Sequence, residues 1–129
     1  MTIDKFSTYS DSWGYGYGYV HCGFRLAETF LIQAEALAMQ DQIEEARIIL
    51  DRFKSARYKS TYTIPTEKEA LLQDIYRERR KEFVAEGDYG WLDMKRLGLK
   101  AERTIGGITF KLEGEGDYRY AFPILQSEI

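Results

Sequence analysis

Three carboxylates, Glu78, Glu82 and Glu86, recur at every fourth position of the stretch ERRKEFVAEG (78–87), with Arg79, Arg80 and Lys81 among them. In a helix this spacing stacks the acids on one face. Paired carboxylates hydrolyse glycosidic bonds, and several gathered together hold metal ions. A glycosidase, however, needs its two acids facing each other across the substrate, and acids on one helix point the same way. A dinuclear site adds a Glu-x-x-His, and this helix has no histidine. What remains for interleaved acids and bases is ion pairing.

A helical projection sharpens that choice. Leu71, Leu72, Ile75, Tyr76 and Phe83 span an arc of about 140°. Arg79, Glu82 and Glu86 fall inside the arc and Glu78 lies at its edge, whereas Arg77, Arg80 and Lys81 point elsewhere, onto a solvated face. Charges within a core-facing stripe must be paired, because an uncompensated buried charge costs several kcal/mol. The pattern predicts a structural ion-pair lattice locking helix to helix, with Glu28, Glu35, Glu78, Arg79, Glu82, Glu86 and Arg96 as its members. Arginine suits that work through its forked donors. The reading assigns no catalytic residue, no metal and no cofactor.

A second group has the chemistry of recognition. In SWGYGYGYV (12–20), Trp13, Tyr15, Tyr17 and Tyr19 fall on one side if the chain is extended. Such rings offer flat stacking faces with polar tips, suited to sugar rings or bases. The same pattern also suits a loop or edge strand covering helices, and the intervening glycines weaken any strand. These four aromatics are the candidate ligand contacts. The single histidine and single cysteine, His21 and Cys22, are adjacent. They fall short of a zinc site, which takes four ligands, three of them protein at a catalytic centre. They read as ordinary residues entering a helix, and one cysteine excludes an internal disulfide. A lone histidine also speaks against Ser/His or Cys/His nucleophilic catalysis.

The elements that must position these groups are mostly helical. FRLAETFLIQAEALAM (24–39) places Leu26, Ala27, Phe30, Leu31, Ala34, Leu37 and Ala38 on one broad arc. QDQ (40–42) breaks it, and Ile43, Ala46, Leu50 and Phe53 then form the stripe of a second helix. So short a break makes the two antiparallel neighbours. Phe30, Ala34, Leu37, Ala46, Leu50 and Phe53 match the large and small positions of a tetratricopeptide-like unit, without the tryptophan, glycine and tyrosine of the full consensus. About three such units must stack for stability, so the chain reads as a piece of a larger protein or one that needs a partner.

Further along, YKSTYTIP (58–65) is a connector, and Thr66 with Glu69 forms a T-x-x-E capping box. A helix of about 20 residues follows, ending near Gly87. DYGWLDMKRLG (88–98) reads as a short helix closed by Gly98. The tail alternates: Ile108, Phe110 and Leu112, then Tyr118, Tyr120 and Phe122, with EGEGD (113–117) as the turn between them rather than a calcium loop. The organisation predicted is an irregular segment 1–23, a helical region 24–98 and a strand or hairpin tail 99–129. The fold class predicted is mainly α, with tetratricopeptide-like antiparallel helix pairs and a small C-terminal β-hairpin.

Composition fits one modest globular domain: 129 residues, 44% hydrophobic and 30% charged, with a net charge of −3. No global basic field attracts nucleic acid. No apolar run approaches the roughly 18–20 residues of a membrane-spanning helix, and MTIDKFSTYS at the start lacks the apolar core of a secretion signal.

Four blocks in order resemble the C-terminal part of the SusD/RagB family: RLAETFLIQAEALAM (25–39), ERRKEFVAEG (78–87), GWLDMKRLG (90–98) and FPILQSEI (122–129). They are similar to that family's R-x-A-E-x-x-L-I-x-A-E-A, E-R-R-x-E-x-x-x-E-G, W-x-D-L-x-R and P-I-P-x-x-E-I patterns. Leu125 stands where the family has its second proline, and Tyr19-Val20-His21 before Cys22 is no lipobox. The resemblance implies a SusD-like fragment of a surface-exposed, lipid-anchored protein of Bacteroidetes outer membranes, its anchor absent from this chain. Such a protein is not an enzyme. It captures oligosaccharide or another nutrient and passes it to a TonB-dependent, SusC-like transporter. The matched motifs are scaffold in that family, and none of its ligand residues carries over. The alternative function is a tetratricopeptide-type module presenting a groove to a partner peptide.

Overall fold

The computed structural model describes residues 8–10, 17–19, 25–84, 86 and 89–121. The chain divides into two compact units, residues 1–75 and 76–129. It is mainly helical, as the periodicity predicts.

In the first unit, α1 (Leu26–Met39) and α2 (Ile43–Ser55) form a helical hairpin. α1 is built from alanine, leucine and glutamate, the strong helix formers. It opens at Arg25, whose carbonyl accepts from the Glu28 N–H at 3.0 Å. It closes on Asp41, which adopts a left-handed φ of 62°. There the Gln42 N–H reaches the Leu37 carbonyl (3.0 Å) and the Asp41 N–H the Ala38 carbonyl (3.2 Å). This satisfies the carbonyls that a helix end leaves open, and aspartate is among the few residues besides glycine that tolerate the conformation. Lys68 reinforces the corner, its Nζ lying 2.6 Å from Asp41 Oδ1 and 3.3 Å from the Met39 carbonyl.

The core of this unit follows the predicted stripes. Leu31, Ala34 and Ala38 of α1 and Ala46 and Leu50 of α2 are completely buried, with Ala27 and Phe53 nearly so. Leu71 and Ile75 of α3 (Lys68–Glu82) are equally buried. Each fully buried Leu or Ile contributes about 1.5–3 kcal/mol, and the alanines allow helix backbones to approach closely. Leu26 departs from the prediction. It is 74% exposed, standing at the first position of its helix.

The connector at 58–65 is tied to α2 through Tyr62, whose hydroxyl donates to Asp51 Oδ1 at 2.9 Å. Desolvation, and then the Asp51 carboxylate, push the Tyr62 phenol above its ordinary value. α3 begins later than the capping box predicts. Its first accepting carbonyl is that of Glu67, bonded by the Leu71 N–H at 2.8 Å. A cap at Glu67 puts Ala70, which has no acceptor, at the position a box glutamate must occupy.

Within the segment read as irregular, β1 (Thr8–Ser10) pairs antiparallel with β2 (Tyr17–Tyr19), Thr8 opposite Tyr19 and Ser10 opposite Tyr17. Trp13, Tyr15, His21 and Cys22 lie outside the described residues.

The second unit contains the last part of α3, α4 (Tyr89–Arg96), β3 (Ala101–Ile105), β4 (Ile108–Leu112) and a 3-10 turn at Tyr118–Tyr120. α3 stops at Glu82, short of the end predicted near Gly87, which lies outside the described residues. The reason is Phe83: it is buried, its ring stacks on Tyr89 at 4.5 Å, and its carbonyl accepts from the Glu86 N–H in a tight turn. α4 ends as predicted on Gly98, with φ 57°. The Gly98 N–H bonds the Lys95 carbonyl and the Leu99 N–H that of Met94, at 3.3 and 2.9 Å. Gly114, with φ 99°, passes so close that a Cβ on it would sit 2.7 Å from the Gly98 carbonyl oxygen.

The C-terminal hairpin is present, but its partners differ from those predicted. β4 pairs with β3 across Gly106-Gly107, not with Tyr118 or Tyr120 across EGEGD, and Phe122 lies outside the described residues. Both turn glycines have positive φ (58° and 81°), the combination whose twist suits a two-residue hairpin. Tyr118–Tyr120 is a 3-10 turn because Asp117 caps it, its Oδ1 accepting from the Arg119 N–H at 3.0 Å. In a strand Tyr118 and Tyr120 would share a face. Here Tyr118 is exposed, while Tyr120 is buried with its ring 5.0 Å from Trp91 and its hydroxyl donating to the Leu99 carbonyl.

Candidate functional site

Of the α3 charges, Glu78 and Arg79 are buried and Glu82 is half-buried. Glu78, placed at the edge of the arc, is buried, and Lys81 donates to its Oε1 at 3.0 Å. Arg79 is also buried. Its Nε bonds Asp93 Oδ2 at 3.0 Å and its Nη2 bonds Asp93 Oδ1 at 3.2 Å, with its guanidinium over the Phe83 ring. Arg96 reaches the same carboxylate, Nε to Oδ1 at 2.8 Å, and covers the Tyr76 ring. Two predicted lattice members, Arg79 and Arg96, therefore meet on Asp93, an acid the projection did not single out. Burial raises the Asp93 pKa, and the hydrogen bonds and charges of Arg79 and Arg96 outweigh it, holding the carboxyl below its ordinary value. The sequence signal for Asp93 was its place three residues before Arg96 on α4.

The three-acid ladder does not persist as one helical face. Glu78 and Glu82 lie in α3, but Glu86 falls beyond its end. Glu82 and Glu86 are half-buried, as are Glu28 and Glu35 on α1, and all four make interactions of their own. Among the described residues, no three His, Cys, Asp or Glu side chains gather as a metal would require.

A second buried pair escaped the sequence reading. Lys54 Nζ lies 2.5 Å from Asp74 Oδ2, both side chains almost fully enclosed. The signal was available in the spacing: Lys54 follows Leu50 by four residues on the α2 stripe, and Asp74 follows Leu71 by three on α3.

A concave feature lies on the β3–β4 hairpin. One face is polar and internally satisfied: Glu102 pairs with Lys111 at 2.9 Å, and Thr104 with Thr109 at 3.0 Å. Strand alternation places Ala101, Arg103 and Ile105 on the other face, opposite Leu112, Phe110 and Ile108. Ile105, Ile108 and Phe110 are 53%, 63% and 57% exposed. A groove of about 230 Å³ lies here, lined by Arg103, Phe110, Leu112 and Arg119 together with Ala101, Glu102 and Lys111. Arg119 is held by Asp117, Nη2 to Oδ2 at 2.6 Å, and this contact keeps the Asp117 carboxyl far below its ordinary value.

Of the four predicted ligand aromatics, Tyr17 and Tyr19 occupy alternate positions of β2, while Trp13 and Tyr15 lie outside the described residues. No helix among the described residues is long and apolar enough to cross a membrane.

Closely packed helices with tetratricopeptide-like spacing, followed by a helix of inward charges and a small hairpin, define the class of helical scaffold the sequence predicted. The model of the SusD family matches residues 1–129, and this chain belongs to that family. A curated relative, SusD-like protein P38 from Formosa agariphila, is 37% identical over 93 residues, covering 66% of this chain and 18% of the relative. The chain thus spans less than a fifth of the length of the curated relative it matches. No solved structure matches it.

Proposed function

We propose that this chain serves non-catalytic capture of oligosaccharide at the outer-membrane surface, for delivery to a TonB-dependent, SusC-like transporter. The observation that carries this reading is the family match across all 129 residues. The state of the α3 charges supports it from another side. Arg79 and Glu78 are spent on ion pairs inside the scaffold, which is what a frame does rather than an acid-base centre. Trp13, Tyr15, Tyr17 and Tyr19 are proposed as ligand contacts, because aromatic faces with polar tips suit sugar rings. Membrane attachment would come through a lipid anchor.

The test is calorimetric titration of the whole gene product against an oligosaccharide panel, with binding and no turnover expected. Binding of peptides in place of any saccharide would overturn the sugar assignment. That outcome would favour a second reading, a tetratricopeptide-type module for protein partners, for which exposed Ile32 and Met39, two turns apart on α1, are the relevant feature.

A further inference from the structure

We infer that the groove on the β3–β4 hairpin binds a carboxylate-bearing sugar, a uronate residue of the captured glycan, through Arg103 and Phe110. This deepens the glycan-capture reading and rests on it. A two-stranded hairpin is marginal in water unless one face is covered, and on this one Phe110, which lines the groove, is 57% exposed. The cover it can accept is set by charge. Lys111 is neutralised by Glu102, and Arg119 by Asp117. Arg103 is the groove-lining cation that, among the described residues, has no acidic partner. It stands directly across the ladder from Phe110.

The juxtaposition is specific. The open Phe110 ring offers a face to the C–H side of a pyranose, and the guanidinium beside it offers a fork that matches a planar carboxylate with two parallel hydrogen bonds. A uronate presents both groups on one ring. A neutral sugar would leave the cation unmatched, and an apolar peptide would bury it. A groove of about 230 Å³ has room for about one sugar residue of a longer chain. The chain as a whole carries a net charge of −3, which disfavours an acidic glycan elsewhere on it, so the local cation also determines where such a ligand can land.

The experiment titrates the whole gene product with hexamers of galacturonate, of mannuronate and of glucose, for the wild type and for Arg103→Met, Arg103→Lys and Phe110→Ala. All the replaced side chains are exposed, and circular dichroism checks that each variant folds. The inference requires that a uronate hexamer bind more tightly than the glucose hexamer. It also requires that Arg103→Met weaken uronate binding by about tenfold or more, with Arg103→Lys intermediate and Phe110→Ala weakened as well. Uronate affinity unchanged in Arg103→Met and Phe110→Ala would overturn the groove. Preference for the glucose hexamer would overturn the acidic-sugar class while leaving glycan capture standing. If the wild type binds none of these and no member of a wider saccharide panel, the glycan-capture reading itself fails. Displacement of bound uronate by an acidic peptide of higher affinity would reassign the groove to a protein partner.

Discussion

Arg79 holds Asp93 with two nitrogens, Nε at 3.0 Å from one carboxylate oxygen and Nη2 at 3.2 Å from the other, so that α3 and α4 are joined by a fork rather than a point contact. Arg96 closes on the same acid from within α4. Replacing Asp93 by Ala leaves the buried Arg79 guanidinium without its counter-charge and should cost about 3–5 kcal/mol, read by urea denaturation. Arg79→Lys keeps the charge but loses the fork, and should still be clearly destabilising. A loss below 1 kcal/mol for Asp93→Ala would show that Arg79 does not depend on this acid.

The same carboxylate sets a pH dependence. Its pKa in the folded chain lies below the ordinary value, so the folded state binds that proton less readily than the unfolded state does. Its contribution is complete above the ordinary aspartate value near 4 and is lost as pH falls below it. Denaturation midpoints for wild type and Asp93→Asn should converge as pH is lowered from about 5 toward 2. Parallel curves across that range would contradict the linkage.

Lys54 and Asp74 form a closed pair in the first unit. Lys54→Met or Asp74→Leu alone leaves one buried charge and should cost about 3–5 kcal/mol. The double variant removes both charges and should recover much of the loss, giving a coupling of about 1–3 kcal/mol in a double-mutant cycle. Strict additivity would mean the two side chains act independently.

Gly114 and Gly106 both adopt positive φ but differ in their surroundings. Nothing approaches a Cβ at Gly106, whereas one at Gly114 meets the Gly98 carbonyl oxygen at 2.7 Å. Gly106→Ala should cost about 1 kcal/mol for the left-handed conformation alone, and Gly114→Ala about 2–4 kcal/mol, because backbone must also move. Thermal melts of the two variants compare them directly, and equal shifts would refute the close approach.

The hydroxyl of Tyr120 donates to the Leu99 carbonyl. Tyr120→Phe keeps the packing on Trp91 and removes only that bond, so a loss of about 1–2 kcal/mol is predicted. Tyr118→Phe, on an exposed side chain, serves as the control and should leave stability unchanged within error.

The helix pair was legible because two apolar stripes with buried alanines admit one arrangement, and Leu31, Ala34, Ala46 and Leu50 fill it as the periodicity requires. The inward charge of α3 was legible from the same projection. Its partners were not, since a helical projection shows which way Arg79 points but not what waits there. Lys54 and Asp74 stand on different helices, so neither helix by itself signals the pair. The tail misled for a different reason. Alternation at Tyr118 and Tyr120 imitates a strand, while Asp117 forms a cap that competes with one, and the adjacent glycines at 106 and 107 were the stronger hairpin signal. Of the candidate recognition residues, the aromatic run was visible as a pattern, whereas the groove beside Phe110 needs the strand register that places Arg103 opposite it.

The two-glycine turn at 106–107 also bears on the order in which the chain acquires its structure. A hairpin closed through two residues forms on the order of microseconds, because almost no chain entropy is spent in bringing its strands together. The ladder from Ala101 to Leu112 is thus a local strand pairing. The meeting of Gly114 with Gly98 closes a longer loop, which costs more entropy than the two-residue turn, so it is expected later. Substitutions at the turn should slow folding more than they speed unfolding, and substitutions at Gly114 should do the reverse. The hairpin would then serve as an early template for the later contacts around α4.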